Sequence, residues 1–451
     1  MKQKLTKSKK VFICSECGTT YPSWTGKCVS CGQWNTIVEE LVSKKSNLAK
    51  GSTVSQKPKP ITKSKEEKHY TRLSTLIPSL DEALGGGIVT GQVILLSGEP
   101  GIGKSTLLLQ VASNIAKKRK VLYVTGEEST HQVFIRGERI GALEDNLLIL
   151  SQTNLEEILQ VIEEENPEFL IIDSVQTMYS SHLESAAGSV SQVREVSAKI
   201  TELAKTKNIP VILIGQVTKE GSIAGPKVLE HIVDAVIHFE GERGHSYRVL
   251  KVIKNRFGSS GEIAVFSMKD TGLQEVKDPS SFFISEKPQG KAGSIIFPFT
   301  EGSKPVLVEV QALVSKTVYA VPQRKTQGID INRLSIILAI LEKEGNIFLK
   351  DRDVFINVVG GMFIKEPAVD LAVALAVISS FYDIPIDRDM IGFGEIGLAG
   401  EVRSVHYTEQ RIKEARKFGF KKIVIPYNSK LEEPDIIPIR YIREVIQLLR
   451  S

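Results

Sequence analysis

Residues 92–106 read QVILLSGEPGIGKST. An aliphatic run leads into a glycine-rich turn that ends in Lys-Ser-Thr, and the spacing fits G-x-x-x-x-G-K-[ST] in its strand–loop–helix context. Gly98, Gly101 and Gly103 let backbone N–H groups close around phosphates. Lys104 reaches the β- and γ-phosphates, and the Ser105 hydroxyl ligates Mg²⁺. The loop predicts a strand over 92–97, a helix from about Lys104, and ATP with Mg²⁺ as ligands. Its nucleotide-binding set is Gly98, Glu99, Pro100, Gly101, Ile102, Gly103, Lys104, Ser105 and Thr106.

Similar short apolar runs recur on either side: KVLYVTG (120–126), FLIIDS (169–174) and PVILIGQ (210–216). Strands of this kind, alternating with helical stretches, predict an α/β core with a parallel sheet covered on both faces. Asp173 ends one of them, where a carboxylate can hold Mg²⁺ directly or through water. Hydrolysis also needs a base or a water-positioning group. Glu127 and Glu128, just past another strand end, are the candidates, and Gln216 closes a third strand. Further on, YRVLKVI (247–253) runs into KNRFG (254–258). Lys254 and Arg256, two residues apart on an extended segment, point the same way. They suit a neighbour's γ-phosphate, DNA, or a plain surface cluster of charge.

The chain has 451 residues, enough for two or three domains with their own cores. No apolar run approaches a membrane span. The N-terminal MKQKLTKSKK lacks the apolar core of a signal peptide, so the expectation is cytoplasmic with no membrane association. Net charge is +5, but residues 1–68 hold 14 Lys and 5 Glu, so the excess is N-terminal. Such a segment either attracts polyanions or is a solvated tail. The expected organisation is a small cysteine unit (11–41), a flexible basic linker (42–69), the nucleotide-binding core (70–285) and a further α+β domain (286–451).

All four cysteines fall in CSECGTTYPSWTGKCVSCGQW. Cys14/Cys17 and Cys28/Cys31 are two C-x2-C knuckles that can present four thiolates to Zn²⁺. Two disulfides or a redox pair are the alternatives, and a chain without other cysteines favours zinc. Four thiolates leave no open coordination position, so the role is structural. Trp24 and Trp34 are expected to pack against the knuckles, or else to engage a partner.

In the last domain, residues 364–380 read IKEPAVDLAVALAVISS. The turn resembles the one that presents the serine nucleophile in Lon-type ATP-dependent proteases, with Ala368 at the serine position. Aligning GEIGLAGEVRSVHYTEQRIKEA (394–415) with the protease segment that bears the activating lysine puts Glu409 there. A dyad needs both groups, so the domain reads as a retained scaffold for assembly and DNA contact, with Arg333, Lys343 and Lys350 as possible contact residues.

Taken in order, the zinc ribbon, lysine-rich linker, GEPGIGKST loop, KNRFG and Lon-like domain resemble the bacterial RadA/Sms family of DNA-repair ATPases over essentially the whole chain. The resemblance implies a RecA-like core in a homo-hexameric ring. It further implies binding of single-stranded and branched DNA, ATP hydrolysis, and branch migration alongside the RecA recombinase. By likeness to RecA-like and clock-type ATPases, Glu127 is the catalytic glutamate with Glu128 assisting, and Gln216 is the γ-phosphate sensor. In such proteins the loop after Gln216 grips DNA, here through Lys219 and Lys227. An ATP-gated assembly switch and an ATP-dependent protease are the competing readings. The ribbon and basic linker speak against the first, Ala368 and Glu409 against the second.

Overall fold

In a computed structural model of the chain, the structure describes residues 9–42, 71–216, 229–241, 247–284, 290–300, 302, 305–360, 362–428, 431 and 433–450. The lysine-rich linker from residue 43 onward, and Lys219 and Lys227, lie outside the described residues. Two compact units are present: residues 1–240 with 248–275, and residues 241–247 with 276–451.

The first unit opens with a ribbon of three antiparallel strands in the order Thr20–Tyr21, Lys9–Cys14, Ile37–Val42. Cys14, Cys28 and Ile37 form its centre, with Phe12 and Tyr21 packed alongside. Trp24 and Trp34 are not part of it. They are 58% and 68% exposed, contrary to the expectation of core packing. A ribbon this small has its interior filled by the cysteines, which leaves no volume for two indoles.

Nine strands build the main sheet of this unit, in the order Gly272–Glu275, Ile263–Lys269, Tyr247–Asn255, Ala235–Glu240, Val93–Gly98, Val211–Gln216, Phe169–Asp173, Val121–Thr125, Leu147–Ser151. The six strands from Ala235–Glu240 to Leu147–Ser151 run parallel. Alternate residues of the loop strand feed opposite faces. Ile94 and Leu96 pack with the helix Lys104–Ala116, while Val93 and Leu95 pack with the helices Leu155–Glu165 and Val190–Lys207. The parallel sheet is thus covered on both faces, as the uninterrupted aliphatic strands predict. Helices start where side chains satisfy their first N–H groups: Ser129 with Gln132 in a capping box, Asn154, and Ser189.

The second unit holds a seven-stranded mixed sheet in the order Arg324–Gln327, Arg352–Val358, Pro305–Lys316, Ser294–Thr300, Met390–Gly392, Lys422–Pro426, Ile436–Ile439. Against it packs the helix Asp370–Tyr382, whose residues 370–379 are all buried. The turn before it, Pro367–Val369, is a single 3₁₀ turn. Ala368 is 2% exposed and its carbonyl accepts the Gly394 N–H at 2.8 Å, whereas Glu409 faces solvent. Beside the turn, the side chain of Arg411 is 1% exposed. Its guanidinium donates to both Glu366 carboxylate oxygens and to the Pro298 carbonyl. It also lies 5.7 Å from the rings of Phe297 and Phe393. Arg333 is held inward by two bonds to Asp370 at 2.5 and 2.6 Å, which removes it as a free DNA contact, while Lys343 and Lys350 are exposed. No helix among the described residues is long and apolar enough to cross a membrane.

Removing one partner of a buried pair leaves the other charge unpaired, at about 3–5 kcal/mol. Arg411→Ala should therefore lower the stability of the second unit by roughly 3 kcal/mol or more. Scanning calorimetry reads this directly, and an unchanged transition would mean that the pair contributes nothing.

Candidate nucleotide site and metal centre

The phosphate loop leaves its strand at Gly98, where a side chain is sterically barred. A Cβ there would lie 2.5 Å from the Phe239 carbonyl oxygen on the neighbouring strand. Gly103, with φ of +113°, is the N-cap of the helix Lys104–Ala116, and no side chain caps that helix. Its first N–H groups therefore face the loop, the arrangement that binds phosphate. The Lys104 Nζ donates to the carbonyls of Gly98 (2.8 Å) and Glu99 (2.9 Å), which holds the ammonium over the loop. Burial pushes its pKa below the usual lysine value, opposed by the fields of Asp173, Glu127 and Glu99. Ile102 is buried under the loop and its carbonyl takes a bond from the Arg248 Nε at 3.1 Å, while Glu99, Pro100 and Gly101 are exposed at its crest.

Parallel register brings the other polar groups to the same strand ends. Gln216 pairs with Gly98, and Asp173 with Thr125. Asp173 is buried. Desolvation raises its pKa, while hydrogen bonds from Tyr123 and Ser105 pull it back. Ser105 and Asp173 thus already face each other, the donor set expected for Mg²⁺ bound through a hydroxyl and a carboxylate. Thr106 lies in the first turn of the helix.

The two glutamates separate. The Glu127 Oε1 accepts from the Ser174 hydroxyl (2.5 Å) and from the Gln216 Nε2 (2.7 Å), so it stands between two strand tips. Glu128 turns away and pairs with Arg136 on the helix Thr130–Ile140. On the other side of the loop strand, the His238 Nδ1 lies 2.9 Å from the Ser97 hydroxyl, and burial lowers the imidazole pKa. Tyr123, Ser174, Arg136, Arg248 and His238 escape a motif-based reading. The only signals they give are a serine directly after Asp173, polar residues inside strands, and an arginine eight positions past Glu128 on the following helix.

Lys254 and Arg256 do not join this site. The Lys254 Nζ donates to the carbonyls of Glu230 and Val233, and Arg256 pairs with Asp234 at 3.2 Å. Asp234 in turn bonds the backbone of Val93, where the loop strand begins. Five residues of strand separate that end from Gly98, roughly 17 Å at 3.3 Å per residue.

In the ribbon, the Sγ atoms of Cys14, Cys17, Cys28 and Cys31 all lie within 4.8 Å of one another. The pairs Cys14–Cys31 and Cys17–Cys28 are 3.7 and 3.5 Å apart. A tetrahedron with bonds of about 2.3 Å has edges of about 3.8 Å, so the cluster fits Zn²⁺ and none of these pairs is a disulfide. The Tyr21 hydroxyl stands 3.1 Å from the Cys28 Sγ and supports it from outside the cluster.

Comparison with known proteins covers the same regions. Residues 12–39 match the rubredoxin metal binding domain, residues 63–222 the AAA domain, and residues 316–429 the subunit ChlI of Mg-chelatase. The chain is 56% identical over 448 residues to the DNA repair protein RadA of Aquifex aeolicus, covering 98% of this chain and 99% of that one. It is 47% identical over 428 residues to the DNA repair protein RadA of Bacillus subtilis, covering 94% and 93%. Identity to the DNA repair protein RadA of Streptococcus pyogenes serotype M1 is 45% over 450 residues, covering 99% of each.

Two outcomes follow from the geometry. Lys104→Ala should cut ATP turnover on the order of a hundredfold or more, since it removes the ammonium that two carbonyls hold over the loop. Near-normal turnover would refute the assignment. Cys28→Ser should release the ribbon's zinc, expected at about one ion per chain, as read by metal analysis of the purified protein.

Proposed function

The chain belongs to the RadA family of DNA repair proteins, and from that premise we propose that it is a DNA-stimulated ATPase motor. In this reading it acts in the cytoplasm on single-stranded and branched DNA. It works alongside the RecA recombinase and promotes branch migration of recombination intermediates as a homo-hexameric ring.

The observation that carries the reading is the separation of Lys254 and Arg256 from their own phosphate loop. They lie at the opposite end of the sheet, so within one chain they have no route to the nucleotide. Across a subunit boundary they supply the cations that a developing γ-phosphate charge needs. In each subunit Lys104 binds and neutralises the β- and γ-phosphates. Mg²⁺ held by Ser105 and Asp173 offsets further phosphate charge when bound. Glu127 positions the attacking water, and its bond to Gln216 carries the γ-phosphate state into the segment that follows. Glu128, paired with Arg136, acts by holding this corner rather than by contacting water. Zinc organises the ribbon. The second unit serves as scaffold, since the buried Ala368 offers no nucleophile and Glu409 lies on the surface.

ATP turnover measured with and without single-stranded DNA tests the motor, and equal rates would refute it. Arg256→Ala should keep ATP binding and lose hydrolysis by about a thousandfold, the scale of an arginine finger. Mixing it with Lys104→Ala subunits should restore part of the rate, because some interfaces then join an intact loop to an intact finger. Mixed rings without any recovery would exclude action in trans.

A further inference from the structure

The ribbon carries an aromatic surface that neither the zinc cluster nor the ATPase chemistry uses. Trp24 and Trp34 are both more than half exposed, although they come from different knuckle loops. They form one patch: a Cβ built on Gly26 would lie 3.7 Å from the Trp24 ring and 3.8 Å from the Trp34 ring. A backbone bridge between Lys27 and Trp34, and a bond from the Asn35 N–H to the Gly26 carbonyl at 2.8 Å, hold the two loops together. The Trp24 indole N–H donates to the Ile37 carbonyl at 3.1 Å, which fixes that ring and uses its only donor. The Lys27 ammonium lies 5.5 Å from the centre of the Trp34 ring.

Charge identifies the occupant. The described ribbon, residues 9–42, is balanced, with three Lys and three Glu. Its flanks are not: residues 1–8 contain three Lys and no acidic residue, and residues 43–70 contain eight Lys against two Glu. Lys9 pairs with Val42 and Cys14 with Ile37 across the antiparallel strands, so both basic flanks join the ribbon at one end, with five residues of strand between them and Ile37, to which Trp24 bonds. Two neighbouring exposed indoles, one fixed by its N–H, beside a lysine and within a lysine-rich stretch of chain, match what sequence-tolerant single-strand binders combine: π-faces for bases and cations for the backbone. We propose that Trp24, Lys27 and Trp34 form a stacking platform for unpaired bases of a single-stranded nucleic acid. Lys27 lies where it can meet the phosphate between stacked bases. The proposal rests on the DNA-binding reading above and deepens it by naming a contact site.

The chain has two tryptophans, so its tryptophan emission reports this patch alone. The full-length zinc-loaded protein is titrated with a fluorescein-labelled oligothymidylate, following both tryptophan emission and fluorescein anisotropy. Saturating quenching is expected, with both signals giving the same midpoint. Trp34→Ala should weaken binding roughly 5- to 100-fold. Trp34→Phe should restore most of it, because a phenyl ring still stacks. Zinc content, measured on each variant, shows that the ribbon is intact, and a variant that loses zinc is replaced by Lys27→Ala, whose binding should weaken and become less salt-dependent. Oligonucleotide binding without any change in emission, and unaltered by Trp34→Ala, would overturn the platform while leaving the DNA reading in place. It would mark the patch as a protein-docking surface. No oligonucleotide binding at all would overturn both.

Discussion

The close approach of Gly98 to the strand Ala235–Glu240 is the constraint on which the nucleotide site depends. With no Cβ in the way, the Phe239 carbonyl sits against the start of the phosphate loop. The central strands then keep a common parallel register, with Gln216 and Phe239 both aligned to Gly98. Parallel strands end together, so one register brings the loop, Asp173 and Gln216 to the same edge. Open α/β sheets bind ligands in such a crevice beyond the carboxyl ends of their strands. The same register explains where KNRFG lies. The strand Tyr247–Asn255 runs antiparallel to Ala235–Glu240, so its end is carried back to the far edge of the sheet.

Within the crevice, burial sets the electrostatics. Lys104 and Asp173 are both largely withdrawn from water, and each is pushed toward its neutral form by desolvation. Neither is neutralised by a direct ion pair with the other. Lys104 bonds to loop carbonyls, and Asp173 to the hydroxyls of Tyr123 and Ser105. A triphosphate with a divalent cation brings charges of the sign each group needs, so binding relieves two desolvation costs at once. Glu127 differs in being exposed and bonded through a serine and an amide.

How far the sequence could be read follows from how local each signal is. The phosphate loop and the cysteine knuckles are contiguous patterns whose chemistry needs only short spacing, and the residues they name come together in the fold. The different bonding of Glu127 and Glu128 is not legible in the sequence. It depends on Arg136, eight positions along, and on Ser174 and Gln216, which parallel strands bring in from 47 and 89 positions away. Arg333 looked available for a partner because its acceptor, Asp370, is 37 positions distant. The exposure of the two tryptophans has another cause. Aromatic residues in a small domain are usually core, but here the metal cluster takes the core's place.

In the second unit, a turn resembling a protease nucleophile loop carries a buried alanine, Ala368, at the serine position. Its helix is apolar on every face because every face is covered, so packing alone restrains most of those residues. The turn itself is tied at both ends. The Gly394 N–H bonds the Ala368 carbonyl, and the Leu371 N–H bonds the Gly394 carbonyl. Arg411 then fills the space beside it, neutralised by Glu366 and enclosed by two phenyl rings. A serine at position 368 would be buried as Ala368 is, while position 409 lies on the surface. The likeness in sequence therefore follows the geometry of a buried helix and its entry turn. That geometry is needed for the fold whether or not a nucleophile is present.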